Sequence, residues 1–180
     1  MTSTRKIIVQ IATSADGYIA RSDGDVGWLD RPAPKGNYGL NAFVKTIDTI
    51  LWGHNTYLKG LELGMKLSVY GKGIRHYIFS RQPQPSPEPG VEFVNEPVST
   101  FAPRLRSHPG KHIWMMGGSR IIASFLDENQ IDEFLIHVIP VFIGEGIPLI
   151  AARRRTIPLK LLSSRSYPDG VVGLHFATSA

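Results

Sequence analysis

Short apolar runs separated by glycine, proline and polar residues set the rhythm of the chain. The runs at 6–11 (KIIVQI), 49–53 (TILWG), 75–80 (RHYIFS) and 113–116 (IWMM) are nearly continuous, the pattern of strands buried on both faces. The run at 133–139 (EFLIHVI) alternates Phe134, Ile136 and Val138 against more mixed neighbours, and 91–94 is a short strand. Helical spacing fills the gaps. Leu40, Phe43, Val44 and Ile47 share one helical face within 37–47, as do Ile121, Ile122, Phe125 and Leu126 after the glycine pair at 117–118. Shorter helices are expected after His54 and over 99–106, the latter ended by Pro109-Gly110. Finally, 159–164 and 171–178 flank Tyr167-Pro168-Asp169-Gly170, a strong hairpin signal. Strands alternating with helices and then a hairpin predict an α/β fold, with a mostly parallel sheet and an antiparallel C-terminal hairpin. The proline-rich stretch 82–90 reads as a loop. Neither flank carries enough sequence of its own kind for a second domain, so 1–180 is read as a single domain.

Composition narrows the classes. The chain has 180 residues, 42% hydrophobic and 19% charged, as expected of an ordinary globular protein. No apolar run approaches the roughly 20 residues of a membrane span, and the start lacks a signal peptide's apolar region. Cysteine is absent, which removes disulfides and thiolate–metal sites and suits a cytoplasmic location. The six histidines form no close helical pair, and no metal site is expected. Asp23-Gly24-Asp25 does not continue into a calcium loop, because the later ligand positions fall on Leu29, Arg31 and Pro34. The net charge of +5 favours anionic partners. Arg153-Arg154-Arg155 is the one basic run, read as a solvated edge or loop; without interleaved aromatics it predicts no nucleic-acid binding.

Parallel strands joined by right-handed crossovers place their carboxyl ends on one rim, where ligands bind in open α/β folds. Three such ends carry phosphate-compatible chemistry. Gly53-His54-Asn55-Thr56 offers a close-approach glycine, an imidazole and a hydroxyl at a helix start. Ser80-Arg81 offers a hydroxyl and a guanidinium, and Gly117-Gly118-Ser119-Arg120 a glycine turn into a helix. Taken alone, the glycine pair fits a plain strand-to-helix turn. Together the three ends point to a dinucleotide, although the G-x-G-x-x-G fingerprint is absent.

At these residues the chain resembles the dihydrofolate reductase superfamily, in particular the branch holding the reductase domain of bacterial riboflavin biosynthesis proteins. The matching pieces are ATSADGYIA with downstream Trp28, ILWGHNTY, HYIFSR, IWMMGGSRII and IDEFLIHVIPVFIGEGIPL, in the family's order over most of the chain. The resemblance implies a three-layer α/β/α sandwich and an NADPH cofactor. It puts the diphosphate at Met116, Gly117, Gly118, Ser119 and Arg120, with Ile121 and Ile122 nearby. Gly53, His54, Asn55 and Thr56 would hold the adenosine-side phosphates, Ser80 and Arg81 the 2′-phosphate and adenine, and Ala12 and Ile19 would flank the nicotinamide. The arginine usual in the second motif is His54 here, which leaves NADH as an alternative. The acid of true dihydrofolate reductases falls at 37–39, which reads Asn37, Tyr38, Gly39, and their supporting threonine at Ile136. Folate is therefore not the expected substrate, and because the acidic, proline-containing substrate segment of the riboflavin branch reads LKGLELGMKL here, neither is its sugar phosphate.

The functional expectation is a reductase acting on a small carbonyl, imine or heterocycle, set against a nucleotide-binding protein without turnover. On the substrate side, Asp16, Trp28 and Tyr57 are the catalytic candidates, with Tyr38 beside them. Asp16 better fits a turn before Gly17, while Trp28 fits a packing wall as well as a pocket wall and Tyr57 a helix residue packed on the sheet as well as a ligand. A homodimer is expected, because Ile139, Val141, Phe142, Ile143, Ile147, Leu149 and Ile150 exceed what one loop needs, and the resemblance implies one.

Overall fold

Adjacent residues of the first apolar run part company on folding. In a computed structural model describing residues 5–31, 37–82 and 85–179, strand β1 (Ile7–Ser14) sends Ile7 and Val9 into one apolar cluster and Ile8 into another on the opposite face. That is why its run is continuous rather than alternating. The same holds for β3 (Ile47–Gly53), where Leu51 joins the first cluster and Ile50 and Trp52 the second. The strand-length runs return as β4 (Arg75–Phe79), β5 (Val91–Val94), β6 (His112–Gly117) and β7 (Glu133–Ile139), and the hairpin as β9 (Leu159–Ser166) and β10 (Val172–Thr178).

These strands form one eight-stranded sheet in the order β5-β4-β3-β6-β1-β7-β10-β9. Every pair from β5 through β7 is parallel, and β10 runs antiparallel to both of its neighbours. Helices α3 (Val98–Ser107) and α4 (Ser119–Asp127) cover one face through Phe101, Leu105, Ile122 and Phe125. Helices α1 (Leu40–Val44) and α2 (His54–Glu62) cover the other through Phe43 and Tyr57. The architecture is the expected three-layer α/β/α sandwich. Helix α1 is shorter than the 37–47 spacing suggests, because Ile47 already belongs to β3.

A second, two-stranded sheet was not legible in the sequence. Strand β2 (Tyr18–Ala20) pairs with β8 (Ile147–Pro148), so the loop after β1 is laced to the segment after β7. That segment is mostly internal packing: Ile139 is buried, and Leu149 and Ile150 pack on the first cluster. Of the apolar set expected to face a partner, only Phe142 stands out, at 81% exposure. The open apolar surface is β9 instead, exposed along its whole length, with Leu159, Leu161 and Leu162 among the exposed large side chains.

Arg153 and Arg155 both pair with Asp127 at the end of α4, the latter at 2.9 Å, so the arginine run is partly tied to the fold. Among the described residues no helix is long and apolar enough to cross a membrane. Residues 1–4 of the amino terminus, Pro34 of the discounted calcium loop and residues 83–84 of the proline-rich loop lie outside the described residues.

Candidate functional site

The parallel register brings three strand ends together as the sequence suggested. Gly53 pairs with Phe79, the residue before Ser80, and Trp52 pairs with Gly117. At this crossing the backbones nearly touch. A Cβ on Gly53 would lie 3.3 Å from the Gly118 nitrogen, and one on Gly118 would lie 2.9 Å from Thr56 Oγ1 and 3.7 Å from Ile19. Gly117 has φ of 108° and forms a cis peptide bond to Gly118. Only glycine supplies that φ without strain.

Two helices start at this crossing, α2 after Gly53 and α4 after Gly118. Neither has a side-chain cap, and neither has an acid in its first turn. Their first-turn N–H groups and positive dipole ends therefore converge on one glycine-lined spot, the requirement for a diphosphate. Thr56 and Ile19 stand beside it, Ser119 is buried, and Arg120 and Asn55 are exposed. Ile121 flanks Gly53, whereas Ile122 is wholly buried, its Cδ1 3.5 Å from where a Cβ on Gly117 would stand. Met116 is half-buried against the second cluster, and the His54 ring sits edge-on to Phe93.

Ser80 is buried at the end of β4, and Arg81 is exposed after it. Beside them a groove of about 330 Å³ runs between Phe79, Val98, Ile121 and Ser124, with Glu96 and Arg153 at its edges. Asp127 and Glu128 complete its lining, so three carboxylates and one guanidinium face it.

The other half of the rim is made differently. Ala12, near the end of β1, pairs directly with His137 on β7, and His137 pairs on its other side with Gly173 on β10. His137 packs with Tyr38 and Tyr167, ring centroids 5.8 and 6.1 Å away, while those tyrosines meet edge-to-face at 5.0 Å. Gly173 makes the room. A Cβ there would come within 3.4 Å of the Tyr167 ring and 3.5 Å of the His137 ring. Asp169, from the hairpin turn, accepts hydrogen bonds from the Tyr38 hydroxyl and from Arg31 Nη1 at 3.2 Å, and its carbonyl accepts from Arg31 Nη2 at 2.6 Å. The Tyr38 hydroxyl holds the Asp169 carboxyl below the usual carboxylate range, and the Tyr38 phenol is correspondingly raised. Beneath this cluster lies a cavity of about 240 Å³, bounded by Gln10, Tyr38, Phe43, His137, Arg165 and Tyr167.

The sequence singled out Tyr38 and missed His137, Tyr167, Asp169 and Arg31. It also put Ile136 where the supporting threonine would stand. Ile136 packs on the α3–α4 face, and its neighbour His137 points to the α1 face instead. The other substrate-side candidates fall elsewhere. Tyr57 is a core residue, 5% exposed, with its ring against Trp52 and Phe93, and desolvation raises its hydroxyl pKa. Asp16 accepts the Ile143 and Gly144 N–H groups at 3.1 and 2.7 Å. A Ser14 hydrogen bond, with those backbone donors, holds its carboxyl below the usual range. Asp16 is thus a staple for the loop after β7. Trp28 is half-buried in a single 3-10 turn, and its indole N–H meets no partner among the described residues.

Comparison with known proteins follows the same lines. The profile of the family described as RibD C-terminal domain matches residues 5–173. The uncharacterised protein YwjB of Bacillus subtilis (strain 168) is 36% identical over 172 residues, covering 96% of this chain and 97% of that protein. A structure from Shewanella sp. PV-4, provisionally named a riboflavin biosynthesis protein, superposes with a TM-score of 0.86 at 24% identity, covering 97% and 99% of the two chains. A dihydrofolate reductase of Enterococcus faecalis, complexed with NADP(H), superposes with a TM-score of 0.66 at 12% identity, covering 97% of each. At these identities the two structures speak for the fold alone.

Proposed function

The chain belongs to the RibD C-terminal domain family, and from that premise we propose that it is an NAD(P)H-dependent reductase of a small carbonyl, imine or heterocyclic compound. The observation that carries the reading is the pair of uncapped helix starts meeting at Gly53 and Gly118, so close that an added Cβ would press on the neighbouring backbone or on Thr56. The residues present fit such a cofactor. Gly117, Gly118, Ser119 and Arg120 would hold the diphosphate, with Gly53, His54, Asn55 and Thr56 on its adenosine side. Ser80 and Arg81 would meet the adenosine end, and Ala12 and Ile19 would flank the nicotinamide. When bound, the reduced nicotinamide supplies two electrons and a hydrogen. The chain's own part is to bind, to orient and to handle the proton.

Calorimetric titration with NADPH and NADH tests the binding. Loss of the reduced-nicotinamide absorbance against a panel of carbonyls, imines and pterins tests the turnover. A protein that binds either cofactor and oxidises neither is a nucleotide-binding module. The start of α1 favours that second reading, since Asn37-Tyr38-Gly39 stands where the resemblance implies the acid of true dihydrofolate reductases. We further propose a homodimer built on β9, whose exposed leucines and open edge call for cover. Sedimentation as a monomer at micromolar concentration would remove that proposal.

A further inference from the structure

We propose that His137 is the proton donor of the reductase, a role resting on the reading above. Reduction of a C=N or C=O bond places one hydrogen with its electron pair on carbon and needs a proton on the nitrogen or oxygen. The resemblance to true dihydrofolate reductases implies an acid at 37–39, where this chain reads Asn37, Tyr38 and Gly39. Across the same cavity, His137 is the ionisable residue in direct register with Ala12. Directly paired residues keep their side chains about 5 Å apart on one face. His137 therefore stands beside the expected position of the nicotinamide and lines the cavity that would hold the substrate ring. The Tyr38 and Tyr167 rings pack against it, and although burial lowers its pKa overall, the Tyr38 carbonyl opposes part of that shift.

The step balances with the reduced nicotinamide as the two-electron reductant. The C=X π pair takes up the proton as the imidazolium N–H bond breaks, and that bond's electrons remain on the ring nitrogen. Solvent entering the cavity then reprotonates the ring. The groups around it are Tyr38 from the α1 side, Arg165 from β9, Tyr167 from the turn that follows it, His175 from β10, and Asp169 with Arg31 above. Asp169 is already bonded to Arg31 and Tyr38, so it leaves His137 without a carboxylate partner of its own. Burial lowers the His137 pKa from its ordinary 6.5, so the protonated fraction, and with it the rate, is highest in acid and falls as pH rises through a pKa below 6.5.

The test uses 6,7-dimethyl-7,8-dihydropterin, whose ring holds one reducible C=N bond, with NADPH as reductant. Wild-type turnover should fall about tenfold per pH unit on the alkaline side. The His137→Gln protein should lose roughly a hundredfold in kcat and lose that pH slope. Its NADPH affinity and melting curve should stay unchanged. Imidazole added to a His137→Gly protein should restore part of the rate. A His137→Gln protein that keeps its rate and slope overturns the assignment. A second readout needs no turnover. The His137 imidazole carbon resonance, titrated with NADP⁺ and pterin bound, should show a raised pKa as the pterin accepts its proton. A resonance unmoved by pterin in a protein that binds NADP⁺ overturns the proposal. Failure of NADP⁺ to bind at all overturns the cofactor reading instead.

Discussion

The two halves of the rim are built from different materials. The half at the ends of β3, β4 and β6 is made of backbone: glycines, helix starts and bare N–H groups. The half at the ends of β1, β7 and β10 is made of side chains carried in from distant parts of the chain. Tyr38 and Asp169 are 131 residues apart, and Arg31 and Asp169 are 138 apart. A site made of backbone leaves a local trace, because only certain residue types permit its geometry. A site made of side chains is written in the topology, which brings the hairpin turn back to the rim.

Four outcomes would sharpen or break this contrast. The largest concerns acid. His76 on β4, 4% exposed, accepts the Trp52 indole N–H at 3.1 Å, and burial pushes its pKa down to about 4. The folded state thus holds it neutral while the unfolded chain protonates near 6.5. The stability this provides is present above pH 6.5 and is lost as pH falls toward 4, by up to about 3 kcal/mol. Burial lowers His137 in the same sense. Urea titrations from pH 7 to 4 should show the decline, and His76→Gln should remove most of it while the His137 share survives.

Next in size is Gly118→Val. At a hundredfold excess over Kd, a native-only ligand stabilises by about 2.7 kcal/mol. The valine should erase that NADPH-induced shift, because its side chain occupies the diphosphate's approach and crowds Thr56. A folded variant that keeps the shift would put the site elsewhere.

The complementary change is Asp169→Asn. Removing the carboxylate that joins Tyr38 to Arg31 should lower the melting temperature by a few degrees and loosen the substrate wall. The NADPH shift should be untouched. A variant that weakened cofactor binding as strongly as Gly118→Val would show the halves to be one mechanical unit. The smallest effect belongs to Arg81→Ala. This exposed guanidinium should discriminate NADPH from NADH by about tenfold, through one charge-assisted bond in high dielectric. Equal losses for both cofactors would deny it the 2′-phosphate.

The strands were legible because buried parallel strands leave continuous apolar runs, and their ends named Gly53, Ser80 and Gly117 before any coordinates. The β2–β8 ladder was not, since three residues of one and two of the other carry no period to read. Tyr57 misled because an aromatic on a helix after a strand looks alike whether it faces rim or core. Its ring, packed against Trp52 and Phe93, decides for the core. His137 escaped notice because it sits among apolar neighbours in EFLIHVI. A single residue of register separates it from Ile136 on the opposite face, and only the pairing with Ala12 resolves which is which. Asp169 could be seen as a turn residue, which it is. That the turn returns to the rim follows from the strand order.

The placement of β9 and β10 has a consequence for biosynthesis. A ribosome makes the chain in order, so the glycine crossing and α4 are finished long before the YPDG turn emerges. A nascent chain halted after α4 already carries both glycine-lined helix starts, while His137, Tyr167 and Asp169 have not been made. The side-chain half of the rim is completed last, by β7 and the hairpin turn between β9 and β10.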